Sequence, residues 1–189
     1  LDEVPKVYIA DGHHRFEAYS RLAAMGDLSQ TVPPDFKYIP VYIINGTTLN
    51  ILKFNRVVKR LPGLSDKDVL VKLEELFVLA PIEKEDSKDG RLPTKKGQFT
   101  VFLTESRMWL RMDAKRSEPK SSLEQLDVWY LSQFFFANSL GIEDITCPET
   151  MYYAPETEGG PDHLEDFCIR HNYRMAIICF QISIEEVQQ

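Results

Sequence analysis

Cysteine is scarce and unpatterned in this chain. Cys147, Cys168 and Cys179 form neither an even set nor a Cys-x-x-Cys pair, so buried thiols in a reducing compartment are expected rather than a disulfide framework or a zinc ribbon. Long apolar runs are missing too: no stretch approaches the roughly 20 residues that span a bilayer, and Leu1-Asp2-Glu3 does not open a secretory leader. A soluble cytoplasmic protein with no membrane partner is expected. Basic charge is in deficit, with 22 Lys and Arg against 29 Asp and Glu for a net −7. That balance opposes broad nucleic-acid binding and leaves free nucleotides a better match than duplex DNA. Of the four histidines, His163 and His171 lie eight apart, which does not make a HExxH-type zinc pair, so both read as surface residues. Gly159-Gly160 lacks the spacing of a P-loop or Rossmann fingerprint. Asp162, Glu165 and Asp166 follow it and repel phosphate, so a plain turn is expected there.

What the chain does have is a 43% hydrophobic composition over 189 residues, enough for a substantial core in one domain or in a domain with an appended lobe. The stretch with the most chemistry is Val7 to Tyr19. Val7 and Ile9 alternate with Tyr8 as in a strand, Asp11-Gly12 breaks the run, and Phe16, Tyr19, Leu22 and Ala23 recur at helical spacing. Strand, tight turn, helix is the expectation. Such a turn ends at a helix N-terminus, where open amides and the helix dipole favour an anion such as phosphate, and His13, His14 and Arg15 add donors. Asp11 beside it is able to cap the helix, to hold a metal that bridges phosphates, or to take a proton from a nucleophile.

Asp11-Gly12-His13-His14-Arg15 after a strand resembles the signature of a prokaryotic family filed as a domain of unknown function, DUF 1015. More distantly it resembles the ParB/sulfiredoxin superfamily. Asn55-Arg56-Val57-Val58, Leu61-Pro62-Gly63-Leu64-Ser65, Leu126-Asp127-Val128 and Ile182-Ser183-Ile184-Glu185-Glu186-Val187 resemble later segments of the DUF 1015 family in order, so the likeness covers essentially the whole chain. Members of that family are longer at both ends, which implies an internal fragment. In the superfamily a Gly-x-x-Arg turn sits on nucleotide phosphates, and Gly12 and Arg15 match it. Sulfiredoxins place their reactive cysteine where His13 stands, so their chemistry is not implied. No helix-turn-helix follows, so DNA partitioning in the ParB manner is not implied either. Free-serine kinases of the superfamily carry a similar Asp-Gly-His-His-Arg turn and imply phosphate transfer. The family usually has His-Arg where this chain has Asn55-Arg56, which leaves no acid-base group at residue 55.

The order of the remaining elements predicts a mixed α/β or α+β fold, a central mixed sheet with packed helices. Residues 1–62 form the nucleotide-binding-like part and 63–189 an α+β part. Strands are expected over 37–44, 78–82, 98–103, 108–112, 151–154 and 173–182, with a turn at Asn45-Gly46 that is able to lead a hairpin into 50–54. Asp27 to Asp35 reads as an exposed loop. Helices are expected from Ser65, over 123–140, over 162–171 and from Ser183. The 123–140 helix is apolar almost all round, and its aromatics are expected to pack in the core. Lys53, Arg56, Lys59 and Arg60 form the densest basic cluster, in which Arg56 and Lys59 reach a common anion if the segment turns.

Three functions follow from these readings. The first is a nucleotide-dependent phosphotransferase acting on a small hydroxyl compound such as serine, a kinase using ATP, ADP or CTP. In it Gly12, His13, His14 and Arg15 bind the nucleotide, His14 facing the phosphates, Asp11 orients Mg²⁺ or deprotonates the hydroxyl, and Arg56 neutralises transferring charge. The second is a regulatory module that senses nucleotide without turnover. The third is nucleic-acid binding in the ParB manner, which the net charge opposes.

Overall fold

The computed structural model describes residues 6–24, 38–49, 51–83, 88–116, 121–155, 157 and 159–187. The chain divides into two compact units, Leu1–Leu49 and Asn50–Val187. In the first, helix α1 runs His13–Ala24 and a 3-10 turn covers Gly46–Thr48. The turn expected at Asn45-Gly46 is present, closed by the Thr48 N–H donating to the Asn45 carbonyl at 3.0 Å. No hairpin follows it, because the next strand starts only at Phe54. The strands expected at 7–9 and 37–44 are not formed among the described residues. Alternating apolar residues become a strand only when a neighbour takes their backbone groups, and here Val7, Tyr38 and Tyr42 stay 70%, 78% and 91% exposed. The loop expected at 27–35 lies outside the described residues.

The second unit is an antiparallel sheet with helices on both faces. Its strands are β1 (Phe54–Val58), β2 (Phe77–Ile82), β3 (Gln98–Leu103), β4 (Met108–Ala114), β5 (Met151–Pro155) and β6 (Met175–Cys179). They lie in the order β2-β4-β3-β6-β1-β5. Every pairing is antiparallel, where a mixed sheet was expected, so the fold is α+β. β3 joins the β2–β4 side to the β6–β1–β5 side, and all six of its residues are buried. Its side chains therefore serve two cores. Phe99, Val101 and Leu103 face one, shared with Val69 and Leu73 of helix α2 (Asp66–Leu76), while Phe102 faces the other, shared with Leu164 and Cys168 of helix α4 (Pro161–His171).

Local chemistry explains the helix ends. Ser65 and Asp68 form a reciprocal capping box that starts α2. Pro161 occupies the first turn of α4, and Asn172, at φ +52, closes it in the left-handed region. The expected helix over 123–140 is built differently. A 3-10 turn at Leu123–Gln125 precedes helix α3 (Asp127–Tyr130), and Leu131–Ser139 is wound as a π-helix. The wider turn buries Leu131, Phe135 and Phe136 together, a spacing of four and five residues that suits a segment with no polar face. Phe77 is the hub beneath it, edge-on to Phe99, Tyr130 and Phe135 at 5.8, 5.7 and 6.1 Å. The aromatics are mainly core, as expected, with Phe134 38% exposed. Helix α5 (Ile184–Val187) ends the described residues.

Candidate functional site

Gly12 adopts φ +78, a conformation that costs glycine little and any other residue strain. The chain turns there and enters α1, whose first intrahelical bond runs from the Phe16 N–H to the Gly12 carbonyl at 2.9 Å. The amides of His13, His14 and Arg15 precede that bond and have no acceptor within the helix. Arg15 folds back over the turn. Its Nη2 donates to Asp11 Oδ2 at 3.2 Å, and a Cβ placed on Gly12 would stand 3.1 Å from Nη2 and 3.3 Å from Nε. The absence of a side chain at residue 12 is what lets the guanidinium lie against the helix start.

All the expected corner residues except Gly12 are exposed, and Gly12 is half-buried. The side chains of Asp11 and Arg15 are 93% and 76% exposed, so their ion pair orients Arg15 more than it stabilises the fold. His13 and His14 project about 100° apart around the helix axis, so at most one faces the same side as the guanidinium. Asp11 supplies one hard carboxylate oxygen. That donor set fits Mg²⁺ of the kind that takes one or two protein carboxylates and completes its shell with phosphate and water. Among the described residues no cluster of three or more His, Cys, Asp or Glu forms a protein-only metal site.

Arg56 falls in the second unit, on β1. It is only 9% exposed, and its guanidinium lies 4.3 Å above the Tyr153 ring on the neighbouring strand. Lys59 leaves the same strand toward Tyr152 and Tyr173, 5.8 and 5.6 Å from their rings, and its Nζ donates to the Pro148 carbonyl at 2.7 Å. Tyr152 and Tyr153 are consecutive on β5 and point to opposite faces of the sheet. Arg56 and Lys59 therefore do not converge on a common anion as expected, because the segment stays extended through Val58. Asn55 is buried, and its Oδ1 accepts from the Cys179 N–H at 3.4 Å.

The cysteines are free. Burial pushes the Cys168 thiol up to about 12 and the Cys179 thiol up to about 11, the latter opposed by the Arg56 charge. Both are inert fillers of the sheet's two faces. His163 and His171 are exposed on α4 and flank Phe167 at 6.1 and 4.7 Å, which matches their reading as surface residues.

A cleft of about 680 Å³ in the second unit was not anticipated. Arg91 is its deepest charge, paired to Asp162 at 2.5 Å and to Glu165 at 3.4 Å. Trp109 Nε1 donates to the same Glu165 at 2.7 Å. In sequence Arg91 sits in a charged run, and only the fold brings it to residues 71 and 74 positions later.

The chain's relations agree with the corner motif. No curated protein and no solved structure is significantly similar to it. The family model described as "Protein of unknown function (DUF1015)" matches residues 1–129, across the Asp-Gly-His-His-Arg corner and on through the first four strands of the sheet, and the chain belongs to that family.

Proposed function

We propose that the corner at Gly12 binds the phosphates of a nucleotide and that the protein is a phosphotransferase acting on a small hydroxyl compound such as serine, in the cytoplasm. The observation that carries the reading is the Arg15 guanidinium lying against a side-chain-free Gly12 at the open end of α1. Amides and a fixed cation then face the same anion, which is how helix starts cradle phosphate. His14 or His13 adds a donor to the phosphate edge. In transfer, the acceptor oxygen forms a bond to the terminal phosphorus as the bond to the bridging oxygen breaks, and Asp11 takes the hydroxyl proton. Mg²⁺ arriving with the nucleotide would be held by Asp11 and would spread the phosphate charge.

A second reading has its own support. Asp11 Oδ2 accepts from the Arg15 guanidinium and is therefore occupied rather than open to an acceptor hydroxyl, so the corner also suits a module that senses nucleotide without turnover. Calorimetric titration with ATP, ADP and CTP, with and without Mg²⁺, tests binding. Arg15→Ala is expected to abolish it, and unchanged affinity sinks the assignment. Incubation with serine and related hydroxy acids separates the readings: phosphorylated product supports the transferase, and saturable binding without product supports the sensor. The ParB-like alternative would need salt-sensitive DNA retention, which a chain of net charge −7 disfavours.

A further inference from the structure

We draw no further inference here: the strongest candidate, the cavity of about 150 Å³ beside the end of α2 that Leu76, Trp129, Tyr130 and Phe134 line, carries nothing because its two cations are already engaged, Lys115 by the Glu74 carbonyl and Arg116 by Asp127, and nothing among the described residues points to a ligand.

Discussion

The Arg174 guanidinium donates to the Asp66 carboxylate at 3.0 Å, across 108 residues of sequence. Asp66, 5% exposed, also accepts from the Ser106 N–H and hydroxyl at 2.8 Å. One carboxylate thereby joins the start of α2, the β3–β4 turn and the entry to β6. Asp66→Ala removes an acceptor from three donors and leaves the partly buried Arg174 guanidinium only Glu105 and the Leu64 carbonyl. A loss of about 3 kcal/mol in unfolding free energy is expected, read by urea denaturation as a lower midpoint with an unchanged slope.

Ser65 caps the same helix, and its hydroxyl hydrogen bond, followed by its backbone N–H, holds the Asp68 carboxyl below its ordinary 3.8. Ser65→Ala should cost about 1 kcal/mol near neutral pH. A depressed carboxyl contributes stability above its unfolded value and loses it as pH falls through the folded one. The difference between wild type and Ser65→Ala should therefore shrink below about pH 3.8. Thermal melts of both proteins across acid pH check this; a constant gap counts against the capping box.

The thiols should react in two classes. Cys147 is half-exposed, whereas Cys168 and Cys179 are 0% and 2% exposed and their thiols are pushed up to about 12 and about 11. Since the thiolate is the reactive form, a disulfide reagent near neutral pH should modify Cys147 quickly in the folded protein and the other two only in denaturant. Rapid native labelling of all three would contradict the burial of the sheet's faces.

Gly12→Ala separates the corner from the rest of the molecule. A methyl group there meets the Arg15 guanidinium at 3.1 Å and imposes φ +78 on an L residue, costing about 1 kcal/mol locally. Nucleotide affinity should drop at least as far as in a variant lacking only His13, while the unfolding of the sheet is unchanged. Hydrogen exchange of α1 amides, compared with those of β3, reads both effects.

Gly159 tests a close approach of another kind. A Cβ there would stand 2.6 Å from the His163 Cβ, with φ +133. Gly159→Ala should force the entry to α4 to shift and lower stability by about 2 kcal/mol. Circular-dichroism melts measure the loss, and replacing His163 by glycine in the same chain should recover part of it.

Local patterns in the sequence were sufficient for elements whose signals are local. The capping box at Ser65, the alternation of Phe99, Val101 and Leu103, the turn before Pro161 and the left-handed Gly12 ahead of α1 all depend on neighbours within a few residues. The family was legible for the same reason, since its corner is five consecutive residues. Period alone failed at 7–9 and 37–44, because alternation records a face and not the strand that would pair with it. It also failed at 131–139, where the demand to bury Leu131, Phe135 and Phe136 together rewound an apolar helix into a π-helix.

Tertiary structure alone decided which charges meet. It carried Arg56 onto Tyr153 and Lys59 onto the opposite face, although the two are three residues apart. It also brought Arg91 to Asp162 and Glu165, and Arg174 to Asp66, over separations of 71 to 108 residues. Composition and short-range spacing fix torsion angles and faces. Ion pairs and clefts depend on strand order and register, and those are set by the collective burial of two cores rather than by any one segment.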